Sequence, residues 1–166
     1  MMRTTTMESR GLRTARRAAL ATLLLTIGGT TGVAAQMTPP PDFLVTVPSS
    51  YGFDETVALL KQAIGGQNLM VIEEINPQQM LRLVGMRTKG MRQILFFHPR
   101  YMKAIIEANA NGGIEAPLKV LVMERPDGKT VVRYHDLRHL FAPYDGLEDI
   151  VSEMQGAMEQ IVASVR

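Results

Sequence analysis

His98 and Met102 are the residues whose types and spacing come closest to a metal site in this chain. They lie four positions apart in the segment FFHPRYMKAIIEANANGG, residues 96–113. Neutral imidazole is the commonest side-chain metal ligand, and thioether sulfur suits Cu(I) or haem iron. The alternative is structural, with His98 capping a helix that starts at Pro99 and Met102 packing in the core. The pattern leaves both interpretations open.

A second pair, His135 and His139, lies in RYHDLRH, residues 133–139. On a helix, this spacing places both rings on one face, as in the zinc site of HExxH enzymes. The catalytic glutamate of that motif is missing, because Asp136 follows the first histidine. His135 is also expected to end a strand, so the pair can equally be two solvated histidines in a strand-to-helix connection.

All three histidines of the chain fall in two connections at strand ends, accompanied by tyrosines. If the two connections meet, within one chain or across a dimer interface, they would form one site. The hypothesis names His98, Met102, His135 and His139 as metal ligands, and His98, Tyr101, Met102 and Tyr134 as contacts of a small ligand. The cofactor is left unknown, with a metal or haem as the candidates.

The remaining motifs argue against familiar catalytic chemistry. The chain contains no cysteine, which excludes disulfides, thiolate nucleophiles and covalently attached haem. Glu73 and Glu74 are neighbours in a strand and point to opposite faces, so they cannot act as a pair. Glu148 and Asp149 suit the first turn of a helix for structural reasons alone. We expect no catalytic residues.

The first 35 residues have the composition of a signal peptide. Five arginines precede an apolar stretch at 18–27, and Val33 and Ala35 occupy the −3 and −1 positions of a cleavage site before Gln36. The apolar stretch is too short to span a membrane, which takes about 20 residues. The sequence therefore predicts a periplasmic or secreted protein cleaved near Ala35, or one that keeps the segment as an anchor. Export by the general secretory route or by the twin-arginine route is left open.

Removal of this segment changes the charge balance. The whole chain has 18 basic and 16 acidic residues; five basic residues and one acidic residue lie within 1–35, leaving 13 and 15. A chain so balanced, without a basic stripe carrying aromatic residues, is not expected to bind nucleic acid. The segment 36–42 is a proline-rich lead, and 43–166 is long enough for a single domain with its own core.

Hydrophobic patterns in 43–166 predict the order β-α-β-α-β-α-β-β-α. Asn76 and Pro77 are the strongest helix start, and Met80, Leu81 and Val84 are expected to face inward from that helix. Asp127-Gly128 marks the turn of a late hairpin. This order predicts an α+β domain of two layers, with helices on one face of a mixed or mostly antiparallel sheet.

Four stretches in sequence order resemble the domain of unknown function 302 family, which has the TT1751-like fold. They are SYGFDETVALLKQAI, VIEEINPQQMLRLVGM, ILFFHPRYMKAIIEAN and APLKVLVMERPDGKTVVRY. The resemblance implies a small α+β domain that tends to form homodimers and has no established activity. Members usually have Gly-Asn-Pro where this chain has Phe97-His98-Pro99, so a ligand role expected of that turn does not transfer directly.

Three functions remain open at this point. The first is a non-catalytic periplasmic protein that binds a small ligand, a metal or haem. The second is an enzyme with a shallow site at the His98 and His135–His139 connections. The third is a pure protein-interaction module, which would expose an apolar patch or a strand edge.

Overall fold

The structure, a computed structural model, describes residues 41–166. The predicted signal peptide at 1–35 and residues 36–40 of the predicted lead at 36–42 lie outside the described residues. The strands are β1 (Leu44–Pro48), β2 (Met70–Ile75), β3 (Met91–Phe97), β4 (Leu118–Glu124) and β5 (Thr130–His135). The helices are α1 (Phe53–Gly66), α2 (Pro77–Leu83), α3 (Pro99–Asn109), α4 (Leu137–Phe141) and α5 (Glu148–Ala163), and a 3₁₀ segment spans Ala110–Glu115.

The predicted α+β class and the order of the long elements are confirmed. The strands form one antiparallel sheet in the order β1-β5-β4-β3-β2. The 3₁₀ segment and the short helix α4 are additions that the hydrophobic pattern did not predict. They lie directly before β4 and directly after β5, beside the sheet.

The core fills the space between one face of the sheet and the helices. Ile94, Phe96, Val120, Val122 and Val132 alternate along the three central strands and are fully buried. They form one cluster with the inward residues of the long helices, Leu60, Ile64, Ile105, Met154, Met158, Ile161 and Val162. We call this side the helix-covered face.

The residues between them point to the opposite side, which we call the open face. Gln93 and Leu95 of β3, Lys119 and Leu121 of β4, and Arg133 and His135 of β5 belong to it by alternation. Several are half-buried even though the long helices within residues 41–166 pack on the other face.

The β4–β5 hairpin aligns the residues of the open face. Its turn has Gly128 at a positive φ of 79°, which favours glycine, and Asp127 Oδ1 accepts a hydrogen bond from Lys129 N. The resulting register pairs Leu121 with Arg133. Lys119 and His135, two residues beyond this pair on each strand, line the same two hollows.

Helix α2 begins as predicted, but its packing differs from the prediction. Asn76 Oδ1 accepts a hydrogen bond from Gln79 N at 2.9 Å, with Pro77 at the first helical position. The expected inward positions are wrong for Met80 and Val84, which are 60% and 78% exposed. The helix has only seven residues and contacts β3, and no other element within residues 41–166 covers this side.

The glycines after α3 do more than stop that helix. The chain continues as the 3₁₀ segment, in which Gly112 is buried. A Cβ at Gly112 would lie 2.6 Å from Leu147 Cδ1, so any larger residue would have to displace the buried Leu147 side chain. The contact holds the 3₁₀ segment against the start of α5.

Within residues 41–166, no helix is both long enough and apolar enough to cross a membrane.

Candidate functional site

His98 is the N-cap of α3. Its backbone is extended, and its Nδ1 atom accepts a hydrogen bond from Arg100 N at 3.0 Å. Pro99 occupies the first helical position, where the missing N–H costs nothing. His98 and Met102 also line one apolar hollow of about 320 Å³ together with Met70, Ile72, Phe97 and Pro99. The structure thus brings the two predicted ligands together and at the same time gives His98 its structural role.

The cap restricts what the imidazole can bind. When Nδ1 accepts a hydrogen bond, the neutral ring carries its proton on Nε2. A metal needs an unprotonated nitrogen, so a metal on either nitrogen competes with the helix cap. The sulfur atoms of Met70 and Met102 are free of this restriction.

The second pair of histidines does not share a helix. His135 is the last residue of β5, whereas His139 is exposed on α4. The zinc geometry of two histidines one helical turn apart therefore does not apply. Asp136, between them, caps α4 by accepting hydrogen bonds from Arg138 N at 2.9 Å and His139 N at 3.4 Å.

The structure places His98 and His135 in different hollows. Their strands, β3 and β5, flank β4, and so are separated by two strand spacings, about 10 Å. The residues that the structure describes contain no cluster of three or more histidine or carboxylate side chains arranged to hold a metal ion.

The two predicted tyrosines are largely buried. Tyr101 is 2% exposed, and its hydroxyl oxygen accepts a hydrogen bond from Arg100 Nη2 at 2.7 Å beside Glu153. Tyr134 is 5% exposed in the core, on the helix-covered face, next to Val45 of β1. Burial is the main cause that raises the pKa of each phenol. Tyr134 and His135 point to opposite faces because they are neighbours in a strand.

A groove crosses the open face of the sheet. It consists of two adjoining hollows of about 250 and 240 Å³, which share Gln93, Lys119 and His135. The 3₁₀ segment and α4 wall one end, with Glu115 and Leu140 among the lining residues. We call these two hollows the sheet-face groove.

The floor of the sheet-face groove combines apolar and cationic side chains. Leu95 and Leu121 lie beside Lys119 and Arg133. Glu115 on the wall already accepts a hydrogen bond from Tyr144 Oη at 2.8 Å. This composition suits a small ligand with an apolar part and a polar part.

The pKa of His135 is lowered from its ordinary value. Burial is the largest cause, the nearby charge of Lys119 adds to it, and Glu115 acts in the opposite direction. The ring also packs edge-on against Phe43, with 5.2 Å between centroids. The lowered pKa favours the neutral imidazole, which offers the groove both a donor and an acceptor nitrogen.

Sequence reasoning missed Gln93, Lys119 and Arg133 as site residues. The signal was present in the Asp127-Gly128 turn, because a hairpin centred there pairs residue 121 with residue 133 and brings residues 119 and 135 to the same end of the two strands. Strand alternation then places Lys119, Arg133 and His135 on one face. Lys89 and Arg92, by contrast, are paired with Glu124 and Glu74.

Comparison with known proteins places this fold in a family. The crystal structure of an uncharacterized conserved DUF302 protein from Bacillus stearothermophilus aligns with a TM-score of 0.70 and 19% sequence identity, covering 76% of this chain and 100% of that chain. No match was found among curated proteins. The family model described as "Domain of unknown function DUF302" matches residues 45–165. Since that match spans most of the chain, this protein belongs to the DUF302 family.

Proposed function

We propose that this protein is an exported, non-catalytic binding protein whose small ligand lies in the sheet-face groove. The observation that carries the proposal is the groove itself, where Lys119 and His135 lie beside apolar side chains on the face opposite the long helices. A sheet face without a covering layer would ordinarily carry solvated side chains. Here Leu95, Leu121 and Arg133 are half-buried, which supports a surface shaped for an occupant.

The experiment is a nuclear magnetic resonance titration of the purified protein with three probes of equal chain length. Hexanoate, 1-hexanol and hexylamine differ only in their charged or neutral head group. We expect at least one probe to shift the amide resonances of Gln93, Lys119 and His135 in a saturable way. If none of the three shifts them, the groove is not a ligand site and the proposal fails.

The metal and haem hypothesis is tested in the same sample with Cu(I), Zn²⁺ and haem. His98, Met102, His135 and His139 are the residues to follow, together with Met70. A metal that binds at His98 is expected to disturb the cap and therefore to shift the amide of Arg100. Unchanged resonances and an unchanged absorbance spectrum with all three additions would exclude metal and haem binding.

An enzyme at the same groove is the second candidate, favoured by the lowered pKa of His135 in a hollow. An imidazole that is neutral at pH 7 can act as a general base if a substrate proton lies within hydrogen-bond reach. Turnover of a ligand that is abolished in His135→Gln, with binding retained, would favour this candidate over simple binding.

Export is proposed from the composition of residues 1–35. Purification of the protein from the periplasm or the medium, followed by N-terminal sequencing, is expected to show a chain that begins at Gln36. A chain that keeps its original N-terminus in the membrane fraction would indicate an anchor.

We also propose that the protein forms a homodimer through the apolar surface of α2. Met80, Leu83, Val84 and Met86 are each more than half exposed on this helix and the residues after it. The adjacent strand β2 is an edge of the sheet. A two-fold axis would place the same apolar residues of two copies against each other, which closes the surface.

A further inference from the structure

We infer that the ligand of the sheet-face groove is an organic carboxylate, with its charged group between Lys119 and Arg133 and its apolar body along Leu95 and Leu121. This inference rests on the proposed binding function and adds the chemical class of the ligand.

The first step is the spacing of the two cations. Arg133 lies directly opposite Leu121, and Lys119 precedes Leu121 by two positions on the same face. Diagonal neighbours on one face of an antiparallel pair have Cβ atoms roughly 7–8 Å apart. Both side chains are long enough to converge on a single anion at this separation.

The second step is the missing counter-charge. Among the ion pairs formed within residues 41–166, none includes Lys119 or Arg133. The Arg133 Nε atom is buried and has no hydrogen-bond partner in the same part of the chain. A buried N–H without a partner and two adjacent positive charges both destabilise the fold, and a bound carboxylate would relieve the repulsion between the two charges.

The third step is the kind of anion. Arg133 can bind a carboxylate with two parallel N–H···O bonds. A phosphate presents the same oxygens, but its second charge would be repelled more strongly by Glu115 on the groove wall. Leu95, Leu121 and Leu140 supply apolar contact that a bare inorganic ion could not use.

His135 and Gln93 complete the polar contacts. Both line the two hollows together with Lys119. A neutral imidazole adds no charge, so the net charge of the groove comes from Lys119, Arg133 and Glu115. The imidazole can still donate a hydrogen bond to a carboxylate oxygen. A bound anion would favour protonation of His135, so carboxylate binding is expected to raise the pKa of this histidine.

The test compares dissociation constants of hexanoate, 1-hexanol and inorganic phosphate at pH 7, measured by the same titration. Hexanoate is expected to bind at least tenfold more tightly than either of the other two, and its affinity should fall as salt is added. Lys119→Met and Arg133→Met keep the apolar length of each side chain and remove its charge. Each substitution is expected to raise the dissociation constant of hexanoate roughly tenfold or more, because each removes hydrogen bonds to a charged group.

Lys103→Met is the matched control. Lys103 is exposed on α3, where it pairs with Glu107 at 3.6 Å, so this variant should bind hexanoate like the wild type. Arg133→Met is also expected to unfold at the same temperature as the wild type or a higher one, because it removes a buried N–H without a partner.

Three results would overturn the inference. Equal affinities for 1-hexanol and hexanoate would mean an apolar site without anion selectivity, which leaves the binding function intact. Tighter binding of phosphate than of hexanoate would assign a phosphate ligand instead. Hexanoate affinities that are the same in Lys119→Met, Arg133→Met and Lys103→Met would place the carboxylate elsewhere.

Discussion

At the scale of single residues, the hydrogen bond that His98 Nδ1 accepts determines the role of this histidine. Helix α3 begins with a proline, so Arg100 carries the first N–H that needs an acceptor, and Nδ1 provides it. Histidine is not a favoured N-cap residue, whereas asparagine is. The imidazole therefore performs a role that a smaller residue could perform equally well.

The first prediction is that His98→Asn keeps the stability of the wild type within a few tenths of a kcal/mol, whereas His98→Ala loses about 1 kcal/mol of the free energy of unfolding. The reason is that asparagine can accept the Arg100 N–H and alanine cannot. Urea unfolding followed by circular dichroism measures both variants. Equal stabilities of the alanine and asparagine variants would show that the cap contributes nothing.

The second prediction concerns how the stability of the protein depends on pH through His135. Its pKa is lower in the folded protein than its ordinary value of 6.5, so the unfolded chain binds more protons between these two values. The contribution of His135 to the free energy of unfolding is therefore complete above about pH 6.5. It is lost as the pH falls through the pKa of His135 in the folded protein.

The corresponding measurement is the melting temperature of the wild type and of His135→Gln between about pH 8 and pH 5. The wild type is expected to lose more stability than the variant on acidification, because only the wild type must protonate a shielded imidazole that faces Lys119 and Glu115. Parallel pH profiles would mean that His135 titrates as freely as in the unfolded chain.

At the scale of elements, the short helix α4 depends on α5. Gln155 is 1% exposed, and its Oε1 atom accepts a hydrogen bond from Leu137 N at 2.9 Å. Asp136 binds the next two backbone N–H groups of α4. Five residues are too few to hold a helix alone, so these contacts from outside it determine that it forms.

The third prediction follows from that bond. Gln155→Leu has nearly the same volume but leaves Leu137 N–H buried and unpaired, which is expected to cost about 1–3 kcal/mol of unfolding free energy. Gln160→Leu is the control, since Gln160 is exposed on the same helix and its substitution should change stability by less than about 0.5 kcal/mol. Faster hydrogen exchange at Leu137 in the first variant alone would locate the effect in α4, whereas equal stabilities would contradict it.

Because α4 forms a wall of the sheet-face groove, Gln155→Leu is expected to affect ligand binding as well as stability. Leu137 and Leu140 of α4 line the hollow that contains His135. A less stable α4 in Gln155→Leu should therefore lower the affinity for a groove ligand, even though Gln155 itself does not line the groove.

At the scale of the whole molecule, the fourth prediction concerns assembly. Light scattering at micromolar concentration is expected to give twice the monomer mass. Leu83→Glu should shift the protein toward the monomer, because Leu83 is 84% exposed on α2 and a charge would be desolvated in the dimer. Ile106→Glu, at a half-exposed position on α3, should leave the mass unchanged. A wild-type protein of monomer mass would refute the proposal.

Much of the fold could be predicted because it depends on local signals. Asn76-Pro77, Asp127-Gly128 and the alternating strands each specify a start, a turn or a buried face from neighbouring residues alone. The inward face of α2 could not be predicted in this way. An apolar helical stripe is buried only if another element covers it, and Met80 and Val84 of α2 remain exposed.

The sequence by itself determined the α+β class, the order of the long elements, the hairpin turn and the absence of cysteine chemistry, since composition and local periodicity carry that information. Only the tertiary structure decided that His98 and His135 lie in separate hollows and that Lys119 and Arg133 share one groove with His135. It also decided that α4 forms at all. Each of these facts depends on contacts between segments far apart in the chain, and such contacts are set by strand register and helix packing together.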